Sequence, residues 1–277
     1  MKHQEARFKG YGDANLYYQC WLPDTEPRAV LVIAHGLAEH GGRYANVIDR
    51  LVPRGYALYA PDHRGHGRSE GWRCYVERFE HYLHDLETFL GIIRGAQPDR
   101  RLFLAGHSMG GTIAVAYALQ HQSELDGLIV SGGVFKPGSS ITAVHILAAR
   151  ILSVILPRMG VTVLDANGIS RDPNVVQAYV NDPLVYRRKI CARMGAELLG
   201  VMRQLPQQAE GIHLPILIMH GTDDRLSDPQ GSQLLYDRVS SEDKTLIFYD
   251  NYYHEIFNEP GRERVLADME GWLEART

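Results

Sequence analysis

From residue 29 onward, short apolar runs alternate with longer stretches of helical periodicity. Ala29-Val-Leu-Val-Ile-Ala34 is continuously apolar and rich in β-branched residues, as expected of a strand buried on both faces of a parallel sheet. Tyr44, Val47, Ile48 and Leu51 then recur at helical spacing until Pro53 and Gly55 end the helix. Tyr56 to Ala60 reads as a second strand, closed by Pro61, and Arg78 to Ile93 as a second helix. The strand Leu102–Ala105, a helix from about Met109 to Gln120 and the strand Leu128–Val130 follow. This repetition predicts an α/β fold, a mostly parallel central sheet with crossover helices on both faces.

The alternation breaks between Phe135 and about Gly211, where no convincing strand is visible. The break opens with the turn cluster Lys136-Pro137-Gly138-Ser139-Ser140 and continues into an apolar helix, Ile141 to Leu156, interrupted by His145 and Arg150. Strand patterns resume at Pro215–Met219 and Thr245–Tyr249, and a helix closes the chain from about Arg262 to Trp272. The predicted organisation is therefore a core made of residues 1–134 and 211–277, with a helical cap inserted at 135–210. An insertion at that point is where an active-site cover sits. Ile141, Val144, Leu147, Ala148, Ile151, Leu152 and Ile155 give the first cap helix a broad apolar stripe. It is too short to span a bilayer. It either packs on the core or lies in a membrane interface, with Arg150 and Arg158 near the headgroups.

Composition narrows the classes. The 277 residues are 45% hydrophobic and 22% charged, which suits a globular chain. Lys and Arg total 29 against 33 Asp and Glu, a net charge of −4, so the basic face of a nucleic-acid binder is missing. Cys20, Cys74 and Cys191 are too few and too scattered for a disulfide framework or a cysteine-rich zinc site. His63 and His66 flank a glycine-rich turn, but no carboxylate or cysteine spacing completes a metal site there, and none is expected. The start, MKHQEARFKG, has no apolar core of a signal peptide, and no apolar run reaches 18 residues. A cytoplasmic protein is expected.

The chemistry is concentrated in Gly106-His107-Ser108-Met109-Gly110, a G-x-S-x-G between a predicted buried strand and a predicted helix. That context is the nucleophile elbow, whose glycines let the chain turn sharply and lift the serine hydroxyl into the open. A serine hydroxyl needs a base to take its proton, and in this fold the acid and then the histidine follow it in the chain. His254 is the candidate base, being the single histidine after His220. Asp223, Asp224 and Asp228 compete as the acid. Asp224 is favoured, because Asp228 precedes Pro229 at a helix start and reads as a cap. An oxyanion requires two aimed N–H donors. The backbone amides of Met109, after the nucleophile, and Leu37, after the Ala29–Ala34 strand, are the candidates.

Several segments together resemble the α/β-hydrolases of the monoacylglycerol lipase family. They are HGLAEHGGRY (35–44), PDHRGHGRSEG (61–71), GHSMGG (106–111), YVNDPL (179–184), HGTDDRLSDPQG (220–231) and DKTLIFYDNYYHE (243–255). The resemblance implies an α/β-hydrolase fold with Ser108, Asp224 and His254 as triad, and a mobile cap whose apolar face makes transient peripheral contact with a membrane. It implies hydrolysis of a lipid ester, a monoacylglycerol, to fatty acid and glycerol, with no metal or organic cofactor and no nucleic-acid partner. Lysophospholipases and broad carboxylesterases of the same family are the alternative. Glu39, Arg43 and Tyr179 match family positions near the glycerol end of the site. On the residues alone, Glu39 and Arg43 equally suit a pair that bonds to itself and shapes the loop. Ser108 at the elbow excludes the dehalogenases and epoxide hydrolases, which carry aspartate there. The intact triad argues against a non-catalytic binding protein.

Overall fold

The computed structural model describes residues 1–136 and 143–277. The turn cluster at 137–140, Ile141 and the side chains of Val144 and Ala148 lie outside the described residues. The central sheet is built from β1 (Lys2–Lys9), β2 (Asn15–Leu22), β3 (Ala29–Ala34), β4 (Tyr56–Pro61), β5 (Arg101–His107), β6 (Gly127–Ser131), β9 (Ile216–Gly221) and β10 (Lys244–Tyr249). Their order across the sheet is β1-β2-β4-β3-β5-β6-β9-β10. From β4 to β10 all neighbours are parallel, while β1 on β2 and β2 on β4 are antiparallel.

Alternate residues of each buried strand serve opposite faces of the sheet. Val30, Val32, Leu102, Leu104, Leu128 and Val130 pack under α2 (Glu80–Ala96), α3 (Met109–His121) and α6 (Ala192–Gln208). Leu31, Ile33, Phe103, Ala105, Leu217 and Met219 pack on the other side against α1 (Ala45–Leu51) and α8 (Arg262–Glu274), where Trp272 and Leu273 are buried. Apolar faces on both sides explain why these strands read as unbroken hydrophobic runs.

The insertion between β6 and β9 contains α4 (Ala143–Ile155), α5 (Pro173–Asn181) and α6, with α4 packed on α6. The expectation of no strand here needs correction. β7 (Gly160–Thr162) pairs antiparallel with β8 (Ile190–Cys191). Both are too short to show any periodicity. Main-chain bonds from Tyr186 N–H to the Ala38 carbonyl and from Glu255 N–H to the Ile169 carbonyl, each 2.8 Å, seat the insertion on the core loops. An ion pair from Arg171 to the buried Glu259 (2.6 Å) and a hydrogen bond between His40 Nε2 and Asp182 Oδ2 (2.8 Å) add to this seating. Among the described residues no helix is long and apolar enough to cross a membrane. Among them, no group of three or more His, Cys, Asp or Glu could hold a metal ion.

Candidate active site

β5 runs straight into α3 through Ser108, whose φ of 54° and ψ of −120° lie outside the regions an L-residue favours. A Cβ on Gly106 would run into the Gly110 carbonyl, and one on Gly110 into the Ala34 carbonyl. The two flanking glycines are thus a steric requirement of the turn. Its product is a serine at the N-terminus of α3, pointing into a cavity of about 180 Å³.

The loop after β3 approaches the same point, since a Cβ on Gly36 would stand 3.3 Å from the Ser108 Cβ. His35 fixes how that loop presents its amides. The His63 N–H donates to His35 Nε2 at 2.9 Å, so the imidazole proton sits on Nδ1 and is donated to the Gly36 carbonyl at 2.7 Å. In a trans peptide the C=O and the next N–H point opposite ways. Holding the Gly36 carbonyl therefore turns the Leu37 N–H away from His35. Among the described residues neither the Leu37 nor the Met109 N–H has a protein acceptor, and both residues line the cavity.

β9 and β10 bring the acid and the histidine together. His254 Nδ1 lies 2.6 Å from Asp224 Oδ2. The same oxygen receives His220 Nε2 at 3.0 Å and Ser227 Oγ at 2.8 Å, while Oδ1 accepts the Leu226 and Ser227 N–H groups at 2.8 and 3.0 Å. Burial alone would raise the Asp224 carboxyl, but His254, His220 and their hydrogen bonds hold it far below the usual carboxylate range. Burial likewise opposes charge on His254, yet Asp224 raises it above the ordinary 6.5. The neighbouring His107 imidazole is pushed down to about 3, first by burial and then by His254. The competing acids are accounted for: Asp223 is exposed, and Asp228 caps α7 (Pro229–Arg238) by accepting the Gln230 N–H at 2.9 Å. Ser108 and His254 face the same cavity; among the described residues Ser108 Oγ forms no hydrogen bond. A serine–imidazole bond that tightens only once substrate is bound is usual for unliganded sites.

The cavity wall divides by chemistry. Val134, Leu164, Leu198 and Met202 make it apolar, with α6 of the insertion supplying the last two. Glu39, Tyr179 and Glu255 also line it and are drawn together by their common contact with Arg43. Arg43, expected beside Glu39 and Tyr179 at the polar end, is not on this wall. It lies behind, donating to Glu39 Oε2 at 2.9 Å and to both oxygens of Glu255 at 2.5 and 2.9 Å, with the Tyr179 ring 4.6 Å from its guanidinium carbon. A guanidinium forks onto carboxylates in this bidentate way, and two buried carboxylates claim it. Glu39 and Arg43 therefore do pair with each other. Sequence reasoning missed Glu255, the second partner, although its charge directly follows His254. It also missed His35, His220 and Ser227, of which only the His-Gly dipeptides gave a signal.

Comparison with known proteins places this arrangement. A family model described as serine aminopeptidase, S33 matches residues 25–261. The chain belongs to this family of α/β-hydrolases. Its relatives include a monoacylglycerol lipase of Mycolicibacterium smegmatis, 41% identical over 269 residues, which span 97% of this chain and 96% of that protein. The monoglyceride lipase of Mus musculus is 33% identical over 264 residues, covering 94% of this chain and 87% of that one. Among solved structures, a soluble variant of the Saccharomyces cerevisiae monoglyceride lipase, in complex with a substrate analogue, superposes with a TM-score of 0.88. It is 26% identical and the match covers 100% of this chain and 96% of the other. Ser108, Asp224 and His254 lie at the C-terminal ends of β5, β9 and β10, where open α/β sheets bind their ligands.

Proposed function

We propose that this protein hydrolyses monoacylglycerols to a fatty acid and glycerol through an acyl-enzyme on Ser108. The observation that carries the reading is one cavity holding an elbow serine, a histidine bonded to a buried carboxylate, and an apolar lining beside a polar one. Ser108 Oγ attacks the ester carbonyl while His254 takes its proton. The Leu37 and Met109 amides receive the oxyanion, and His254 returns the proton to the departing glycerol oxygen. Water repeats the sequence on the acyl-enzyme. Asp224 holds the His254 tautomer and stabilises the imidazolium without taking its proton. Each methylene of the acyl chain buried against the apolar wall contributes about 0.8 kcal/mol. At about 180 Å³ the cavity is small beside the roughly 300–1,000 Å³ typical of ligand sites, so a long chain reaches beyond it toward the cap.

Turnover of 1-monooleoylglycerol against dioleoylglycerol, lysophosphatidylcholine and a short p-nitrophenyl ester tests the substrate class. The monoglyceride is expected to have the highest kcat/KM among the lipids. A higher value for lysophosphatidylcholine would replace this reading with the lysophospholipase one.

The raised His254 sets the pH dependence. The base works only when neutral, so kcat/KM should be level at alkaline pH and fall as pH drops through the His254 pKa, with a midpoint above 6.5. A midpoint below that value contradicts the Asp224–His254 coupling.

The cap supports peripheral membrane contact. Val154 is 74% exposed and Ile155 68%, and Leu147 and Ile151 lie on the same exposed surface. Arg158 reaches back over the exposed Trp72 of the core, 4.7 Å from its ring. Paired Val154→Asp and Ile155→Asp changes should reduce co-sedimentation with phosphatidylcholine vesicles by about tenfold or more, through lost apolar burial. Hydrolysis of a water-soluble p-nitrophenyl ester should be kept. Unchanged sedimentation would rule this surface out.

A further inference from the structure

We infer that the cavity is a charge filter, in which Glu255 and Glu39 admit esters with an uncharged alcohol half and reject those whose alcohol half carries a phosphate or carboxylate. The inference rests on the ester-hydrolase reading above and names the substrate class of the same site.

The acyl chain can lie only against the apolar lining, so the alcohol half falls to the wall made by Glu39, Tyr179 and Glu255. Both carboxyls there are ringed by donors: burial pushes Glu39 up in spite of Arg43, whereas at Glu255 burial is outweighed by Arg43 and its hydrogen bonds, which hold it below its ordinary value, so Glu255 is the stronger charge. Glu39 receives the Gly36 N–H at 2.6 Å and the Tyr44 hydroxyl at 2.7 Å on one oxygen, and Arg43 at 2.9 Å on the other. Glu255 receives Arg43 on both oxygens, and the Asn258 side-chain amide at 2.9 Å on one of them. Among the described residues that line the cavity none is Lys or Arg, and residues 137–142 contain neither. The nearest cation, Arg43, has its charge shared between two carboxylates and is shielded by the Tyr179 ring. His107 is buried and neutral, and any charge on His254, whether from the Ser108 proton or from falling pH, is matched by Asp224 at 2.6 Å. Among the described residues an anionic alcohol half would thus meet like charge with no unshared Lys or Arg on the wall to receive it. Juxtaposed like charges of this kind are a strong source of discrimination. A polyol meets the same carboxylates as hydrogen-bond acceptors. The same field also favours departure of the fatty carboxylate once it has formed.

The test compares 1-oleoylglycerol with 1-oleoyl-lysophosphatidic acid, which differ only in the phosphate, and with oleoylcholine, which is bulky but cationic, all in neutral detergent micelles. For the unaltered enzyme, kcat/KM for lysophosphatidic acid should be on the order of 100-fold below that for the glyceride, with the choline ester within about tenfold of it. Glu255→Gln removes one carboxylate charge and releases part of Arg43. The ratio of lysophosphatidic acid to glyceride turnover should then rise about tenfold, whatever happens to the absolute rates. Glu39→Gln should move the ratio the same way and serves if the first variant does not fold. Lysophosphatidic acid within about threefold of the glyceride overturns the filter. So does a choline ester as poor as lysophosphatidic acid, which would show selection by size, or a ratio unmoved in a folded variant. Failure of the unaltered enzyme to cleave any of the three refutes the hydrolase reading, and this inference with it.

Discussion

Ser108→Ala is expected to lower kcat on 1-monooleoylglycerol by about 10⁵–10⁶-fold while leaving the thermal unfolding midpoint within a few degrees of the original. The size follows from the absence of any substitute nucleophile. The residual rate would come from the two oxyanion amides and from substrate positioning alone. Stability should be spared because Ser108 Oγ makes no hydrogen bond among the described residues, so its loss strands no partner. The backbone geometry of the elbow depends on Gly106 and Gly110. Steady-state kinetics on a preparation checked by circular dichroism would decide it. Turnover within tenfold of the original would remove Ser108 from the mechanism.

Asp224→Asn should be the next most damaging change, lowering kcat by about 10⁴-fold. The aspartate accepts from His254, His220 and Ser227 on one oxygen and from two backbone amides on the other. An asparagine can accept on only one side. Whichever way the amide lies, it either points its NH₂ at His254, favouring the wrong tautomer, or leaves the Leu226 and Ser227 N–H groups facing a donor. The variant should therefore lose stability as well as rate, unlike Ser108→Ala. Its remaining activity should show the acidic limb displaced to lower pH, because the charge that raises His254 is gone. A loss of rate with an unmoved limb would mean that Asp224 acts only as a structural brace. The stability of the pair carries a sign too. Asp224 sits far below its unfolded pKa, so its contribution is fully present above the unfolded value and is lost progressively as pH falls from there toward the depressed folded value.

What could be read from the chain beforehand follows from where each element's partners lie. β3 and β5 announce themselves because both faces are buried, so a run such as Ala29–Ala34 has no polar interruption. The β1–β2 hairpin escaped the sequence reading for the opposite reason. In β1 only Phe8 is buried, and the rest of Lys2–Lys9 carries the charges with which an edge strand avoids pairing with other chains. β2 buries residues in adjacent pairs, Leu16 with Tyr17 and Cys20 with Trp21, which breaks the alternation a strand usually shows. β7 and β8 fall below any periodicity.

The site divides along the same line. Ser108, Asp224 and His254 stood out because local stereochemistry and chain order constrain them. Residues 35–37 could be singled out as oxyanion candidates because such a loop follows the strand β3. The bonds that arm these residues cross long separations: Arg43 to Glu255, Asp224 to His254, and His35 to the His63 amide. No window of sequence displays such pairs. A charged residue such as Glu255 looks like surface until the fold buries it beside Arg43, and this is why Arg43 could be read as a residue facing glycerol.

One histidine makes one serine nucleophilic, and covalent labelling measures that directly. The protein is treated with a fluorophosphonate, digested and mapped by mass spectrometry, alongside His254→Ala and a sample protected by 1-monooleoylglycerol. One adduct is expected, on Ser108, formed more slowly in the presence of the glyceride and at least about 10³-fold more slowly without His254. An enzyme that hydrolyses the glyceride while Ser108 stays unmodified, or that labels equally fast without His254, would contradict it.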